Sequence, residues 1–371
     1  MQPTTEAELA EAIRGANGPL AIRGGGTRPL GRPVTGEALS TAGLTGVRLY
    51  EPGALTLVVA AGTPVAEVEA LLAAENQRLP FEPMDHRGLM GTTGTPTIGG
   101  VVAANVSGPR RVQAGACRDF LIGARFVDGT GAVVKNGGRV MKNVTGYDLA
   151  RLMAGSFGTL GVLTEVAFRL LPGPAASATL HIPDLDDTTA VRAMTVALTS
   201  PYEVTGAAHV PGQGTFLRIE GFAEQIAYRA DRLAARLAPF GTVAIDRDPQ
   251  AGAARWAAIR DVAAFHGQPG DVWRVSVRPS DGPAVAARAG ATAVQYDWGG
   301  GLVWLLMPEG TDLRARLTGL QGHATLLRAA PDTRARIAPF HPEPAPVAAL
   351  SARLRAQFDP RGLFNPGLMA P

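Results

Sequence analysis

The chain has 371 residues, more than twice a typical domain, with 46% hydrophobic and 18% charged, which predicts two compact cores and excludes a disordered or fibrous chain. The net charge is only +3 and the arginines are scattered rather than clustered, which excludes nucleic acid as a partner. One cysteine, Cys117, excludes a disulfide framework or an iron–sulfur cluster held by this chain alone, and the lack of an 18-residue apolar run or a signal-peptide pattern predicts no integral membrane segment and a cytoplasmic default.

Thr5-Glu6-Ala7-Glu8 reads as a capping box opening a short helix through Leu9 and Ile13. The apolar run 19–22 predicts a buried strand that feeds into Arg23-Gly24-Gly25-Gly26-Thr27-Arg28, and residues 55–61 predict a second strand. Thr63 and Pro64 then start a helix with Val65, Val68, Leu71 and Leu72 on one face. Residues 88–108 are too rich in glycine and threonine for a regular element, yet too apolar for a solvated linker. From 121 the pattern is a hairpin about Asp128-Gly129, then a helix around 147–153 and a strand over 161–170. Pro172-Gly173-Pro174 marks the domain boundary. Beyond it, strands at 216–222 and 272–277, helices at 223–238 and 256–265, and a hairpin about Gly299-Gly300-Gly301 predict an antiparallel sheet backed by helices. A final helix, 347–358, carries Val347, Leu350, Leu354 and Phe358 at helical spacing.

Glycine is the compositional anomaly, with 46 residues, many of them between 15 and 161. Glycine is entropically costly unless the backbone needs positive φ or close approach, so a chain this rich in it is expected to wrap its backbone around a ligand. Three segments concentrate it. The consecutive amides of Gly24, Gly25 and Gly26 form a nest suited to phosphate oxygens, although the spacing is neither the dinucleotide fingerprint nor a Walker loop. Residues 91–105 alternate threonine hydroxyls and glycine amides with small apolar side chains, which suits an extended, partly polar ligand. The third segment runs from Lys142 through Tyr147 to Gly161, Val162 and Glu165. Lys142 is one of only two lysines, with Lys135, in a chain where arginine supplies the other cations.

Together these segments resemble the flavin domain of the vanillyl-alcohol-oxidase and p-cresol-methylhydroxylase (PCMH-type) family. Ser107-Gly108-Pro109-Arg110-Arg111, Arg118-Asp119-Phe120, Phe358-Asp359-Pro360 and Phe364-Asn365-Pro366-Gly367 extend the likeness, which covers about 5–170 and 347–369. Within the family the chain is similar to the E-type flavin subunits of bacterial glycolate oxidase. The resemblance implies an α+β fold: a two-subdomain FAD-binding domain over 1–172, a smaller antiparallel α+β cap over 173–340, and a C-terminal segment, 341–371, that returns to the FAD domain. It implies FAD, held by Arg23, Gly24, Gly25, Gly26, Thr27, Arg28, Pro83, Gly94, Thr95, Thr97, Ile98, Gly99, Gly100, Ala103, Ala104, Asn105, Arg111, Lys142, Tyr147, Gly161, Val162 and Asn365. Relatives that bind FAD covalently use a histidine in the first loop or a cysteine just ahead of the T-I-G-G stretch; those regions here hold Gly25, Gly26 and Thr95, so the FAD is expected to be non-covalent. The implied partners are a sister flavin subunit, an iron–sulfur subunit and a small 2-hydroxy acid substrate, with peripheral association at the inner membrane through the partners.

Oxidising a 2-hydroxy acid on a flavin needs a cation for the carboxylate and a base for the hydroxyl proton. Relatives that do so carry a histidine-rich metal site, with H-x-G-D-G-N-x-H and E-H-G segments that this chain lacks, so no metal is expected. The catalytic candidates are Arg274, His266 and His341, drawn from a second-domain set that also holds Arg278, Tyr296, Asp297, Trp298 and Arg328. Arg274 and Arg278, four apart about a strand, are expected on one face, while Trp273, Trp298 and Trp304 read as core or interface residues. Two readings remain open: a catalytic 2-hydroxy acid oxidase subunit, or an FAD-carrying electron-transfer and assembly subunit whose sister performs the chemistry. A self-sufficient oxidase of another alcohol or sugar is a third.

Overall fold

In the computed structural model, which describes residues 1–138 and 146–370, two antiparallel sheets dominate. The first has five strands in the order Val47–Glu51, Thr56–Ala60, Val162–Arg169, Leu121–Val127 and Val133–Gly137. Beside it lies a parallel pair, Leu20–Arg23 with Glu37–Ser40. The second sheet has eight strands, in the order Ala244–Asp246, Ala176–Ile182, Gly214–Gly221, Val204–Val210, Ala293–Asp297, Leu302–Met307, Asp271–Val277 and Gly322–Arg328. Pro172-Gly173-Pro174 lies between the two sheets, where the Gly173 N–H donates to the Asn76 carbonyl at 2.6 Å.

The period of two along a strand decides what the larger sheet offers to each side. Trp273, Val275, Val303, Leu305 and Met307 pack under the helices Asp187–Leu198, Ala223–Leu237 and Gly282–Ala289. Val272, Leu302, Trp304, Leu306 and Leu327 face the other way, into one continuous core with Leu57, Phe81, Phe126 and Phe168 of the first sheet's domain. Arg274 lies on that same face, opposite Trp304 and Thr325 in the ladder. At the seam, Arg218 pairs with Glu82 at 2.9 Å, and Glu220 pairs with Arg78 at 2.6 Å and with Arg110.

Several local expectations need correction. Residues 88–108 contain two short helices, Arg87–Met90 and Ile98–Ala103, the second capped by the Thr97 hydroxyl, which accepts from the Gly100 N–H. Thr5 caps Glu6–Gly15, but the Glu8 carboxylate accepts from the Thr4 N–H at 2.8 Å, so the reciprocal half of a capping box is not formed. The helix placed at 256–265 begins earlier, as Pro249–Arg260 with Asp248 as its cap, and only a 3-10 turn, Ala263–Phe265, follows. The final helix, Ala345–Phe358, packs with Leu354 and Phe358, while Val347 and Leu350 remain exposed. After it the chain returns to the first strand: the Leu20 N–H donates to Leu363 at 2.7 Å, and Asn365 Oδ1 accepts from the Ile22 N–H at 2.8 Å. Among the described residues no helix is long and apolar enough to cross a membrane.

Candidate flavin and substrate site

The first glycine loop, Arg23 to Arg28, lines a cleft of about 400 Å³ together with Thr97, Gly100, Ala103, Ala104 and Asn365. Loop and T-I-G-G stretch interlock through backbone. A Cβ on Gly25 would stand 1.5 Å from the Thr95 carbonyl oxygen, and one on Gly94 would stand 1.8 Å from the Gly25 oxygen. Gly99 is crowded in the same way against Ala61. These three glycines are therefore required by chain-to-chain packing. Gly26 differs: its φ is +71° and nothing lies within 4 Å of its Cβ position, which leaves its amide beside open cleft.

Arg28 supplies the charge. Its Nη1 is buried without a hydrogen-bond partner, and burial pushes its pKa down to about 10 despite Asp85 nearby. A buried cation left without a partner is costly, so the cleft calls for an anion. An elongated dinucleotide diphosphate fits that demand. The cleft shares Leu30, Ala104, Phe157 and Asn365 with a second cavity of about 1030 Å³, so a nucleotide end and a ring end have adjoining room. Asn365, at φ 43°, fastens this junction, because its Nδ2 donates to the Phe157 carbonyl at 2.9 Å.

Other residues singled out from the sequence fall elsewhere. Asn105 and Arg111 line the larger cavity. Pro83, Gly94, Thr95, Ile98, Gly99, Gly161 and Val162 line neither space. Ile98 and Val162 are buried in apolar cores, and Gly161 makes room for the Phe126 ring, which its Cβ would approach to 2.7 Å. Tyr147 is 86% exposed and away from both spaces, and Lys142 lies outside the described residues.

The larger cavity lies between the two sheets, with Arg274, Trp304, His323, Thr325 and Leu327 of the cap sheet on one side. The Arg274 guanidinium lies 5.0 Å from the Trp298 ring centre and 6.0 Å from that of Trp304. Arg111, from the other domain, lies 4.6 Å from the same Trp298 ring. The Trp298 indole N–H donates to the Gly108 carbonyl at 3.0 Å, which fixes the ring. Burial pushes the Arg274 pKa down to about 10, and Arg111 adds to that effect. Buried Asp297 is pushed up to about 7, chiefly by burial, although its carboxylate accepts from the Trp298 N–H at 2.7 Å.

Arg274 and His341 both line this cavity, whereas His266 does not. The His266 ring packs against Gly88, and its Nε2 bonds the Asp261 carbonyl at 2.8 Å, so it belongs to the scaffold. Arg278 does not share the face of Arg274; it lies beyond the strand end and pairs on the surface with Asp281 at 2.9 Å. His86 and His323 line the cavity and were overlooked, because nothing near them in sequence signals chemistry. Among the described residues no group of three or more His, Cys, Asp or Glu side chains is placed to hold a metal.

Comparison with known proteins agrees with the cleft. Residues 1–137 match the family described as FAD binding domain. Glycolate oxidase subunit GlcE of Escherichia coli (strain K12) is 34% identical over 354 residues, covering 95% of this chain and 92% of that protein. D-lactate dehydrogenase of Archaeoglobus fulgidus is 31% identical over 189 residues, and glycolate oxidase subunit GlcD of Bacillus subtilis (strain 168) 34% over 165. The match spans only 41% and 34% of those two longer proteins. A solved structure of alkyldihydroxyacetonephosphate synthase superposes with a TM-score of 0.70 at 15% identity, over 99% of this chain and 76% of the other, a likeness of fold alone. The chain thus belongs to the PCMH-type FAD-binding flavoprotein family that includes the E subunit of bacterial glycolate oxidase, and it is an FAD-dependent oxidoreductase.

Proposed function

We propose that this chain is the FAD-binding subunit of a glycolate-oxidase-type complex: it takes a small 2-hydroxy acid into the cavity between its sheets and passes the electrons to a partner that carries iron–sulfur clusters. The observation that carries the reading is the junction of a cleft holding an unpartnered buried arginine with a large inter-sheet cavity, in a chain similar end to end to a glycolate oxidase subunit. FAD, when bound, supplies the acceptor for the two electrons of the substrate's Cα–H bond. The chain's own residues do the rest. The amide of Gly26 and the Arg28 guanidinium hold the diphosphate, while Asn365 and Phe157 keep the junction open toward the cavity.

The FAD is held without a covalent bond, since neither the first loop nor the stretch just ahead of T-I-G-G offers a histidine or cysteine. Cys117 is buried and its thiol is pushed well up by burial, so it is no nucleophile. One cysteine also leaves the clusters to a partner chain, through which the complex reaches the inner membrane. The division of the chain follows its two sheets: an FAD domain over 1–172 joined by 341–371, with the cap over 173–340 between them.

The test is anaerobic bleaching of the flavin. The purified chain should be yellow and should release its flavin on acid treatment. With its partner subunits present it should be bleached by glycolate or D-lactate and not by a panel of sugars. A colourless protein that takes up no added FAD, or bleaching by sugars alone, would overturn the reading.

A further inference from the structure

We infer that His86 is the base that removes the hydroxyl proton of the substrate, and that Arg274 and Arg111, stacked on Trp298, grip its carboxylate. This rests on the 2-hydroxy acid reading above and names the residues of that site.

Three histidines line the cavity, and their hydrogen bonds separate them. The Nδ1 of His86 is 3.2 Å from the Met84 carbonyl. A carbonyl only accepts, so Nδ1 carries the proton and Nε2 keeps its lone pair. His341 is arranged the other way. Its Nδ1 accepts from the Ala324 N–H at 3.3 Å, which puts the proton on Nε2 and leaves that nitrogen a donor. His341 can hold an oxygen but cannot take a proton while neutral. His323 has no protein hydrogen bond among the described residues to fix its tautomer. Of the three, only His86 is oriented by the protein to act as a base.

The surroundings of His86 keep it ready for that task. It is 7% exposed, and burial, then Arg28 and Arg274, hold its pKa well below the ordinary range. Asp85, beside it, acts in the opposite sense and is itself engaged by Arg87 at 2.7 Å. The imidazole is therefore neutral at neutral pH and able to accept.

The carboxylate site rests on charge. Neither the Arg274 nor the Arg111 guanidinium has a hydrogen bond or ion pair with the described residues; each is held by an indole face instead. Both guanidiniums lie against the same Trp298 ring and line the same cavity with their N–H groups unspent, so both are available to a carboxylate bound there. One comes from each domain, so bound substrate would also tie the domains together. In the step itself, the O–H bond breaks with its proton passing to His86 Nε2. The Cα–H bond breaks with its hydrogen and electron pair passing to FAD, the oxidant, and the C–O bond becomes a carbonyl. A 2-hydroxy acid thus yields a 2-oxo acid, reduced FAD and a protonated His86.

The experiment uses the FAD-loaded chain with its partner subunits and two variants, H86Q and R274Q. Oxalate, an unreactive dicarboxylate, serves as the binding probe through its perturbation of the flavin spectrum, and single-turnover bleaching by glycolate reports the chemistry. His86→Gln should slow bleaching ~100- to 10,000-fold while oxalate binds as before. The fall in the wild-type rate at low pH, where His86 becomes protonated, should vanish in that variant. Arg274→Gln should weaken oxalate binding at least tenfold, with flavin content unchanged. If the wild type is bleached and H86Q bleaches at a similar rate, or if R274Q binds oxalate normally, the inference fails while the glycolate-oxidase reading stands. If the wild type is bleached by no 2-hydroxy acid, both fall. Should H86Q not retain flavin, the oxalate affinity of R274Q decides the carboxylate half, and the pH profile of the wild type decides the base: a rate that does not fall at low pH overturns it.

Discussion

Arg28 carries a cost in the ligand-free chain that only an anion relieves, because its Nη1 is buried without a partner. Replacing it with methionine keeps an unbranched apolar stem and removes the guanidinium with its charge. Two effects of opposite sign should follow. The flavin-free chain should become more stable, since an uncompensated buried cation is gone. FAD should bind roughly 10- to 150-fold more weakly, the equivalent of a charged hydrogen bond worth ~1.5–3 kcal/mol. Thermal melting of the apo protein and flavin titration measure the two separately. A variant that loses apo stability, or that binds FAD as tightly as the parent, would show that Arg28 is only a scaffold residue. Its position was legible in the sequence, as the cation closing the Arg23–Arg28 loop. Its lack of any partner was not, since that depends on what the fold brings near.

Between elements, the glycine-rich loop and the T-I-G-G stretch hold each other, and this changes what a glycine substitution does. Gly25→Ala would force a Cβ into the Thr95 carbonyl at 1.5 Å, so the two segments must part. Such overpacking costs at least ~1–3 kcal/mol, and the melting temperature and flavin content should fall together. Gly26→Ala meets no protein neighbour and pays in the flavin-free chain only for its left-handed φ of +71°, about 1–2 kcal/mol, so its apo melting temperature should fall less than that of Gly25→Ala. An equal fall in apo melting temperature in both variants would contradict the interlock. At Gly25, Gly94 and Gly99 alike, the space a side chain would need is already taken by the chain itself. The loop, the hairpin and the alternating strands were legible because period two and turn residues are local signals. The helix Ile98–Ala103 was not, because Gly99 and Gly100 depress helix propensity while a threonine cap and buried Val101 and Val102 override it. The histidine cluster was not legible either. His86, His323 and His341 come from three distant segments, and only the stacking of the cap sheet on the flavin domain brings them to one cavity.

At the scale of the whole molecule, that stacking depends on buried charge at the seam. Burial alone would raise the pKa of Glu220, but Arg218, Arg110 and Arg78 hold it down at about 2. The Arg110 side chain is 3% exposed and that of Glu220 6%, so removing one partner strands the other in a dry site. Glu220→Gln should therefore destabilise the chain by ~3–5 kcal/mol, and loosen the cap most, since Arg78 and Arg110 belong to the flavin domain. Because the folded pKa is depressed, the carboxylate contributes stability above its unfolded value near ~4.3 and loses it as pH falls toward 2. Asp297, pushed up to about 7 by burial, has the opposite sign: its contribution is full below the unfolded value near ~3.9 and is lost as pH rises toward 7. Melting temperature against pH should consequently fall more steeply for the parent than for Glu220→Gln between pH 4 and 2.5. Asp297→Asn should flatten the decline between pH 4 and 7. Parallel curves for the parent and Glu220→Gln would mean that the seam does not depend on this carboxylate. If the curves do diverge, the cap is held in place by charge as well as by the shared apolar core. The Arg274 and Arg111 guanidiniums then meet at Trp298 only while that seam is intact.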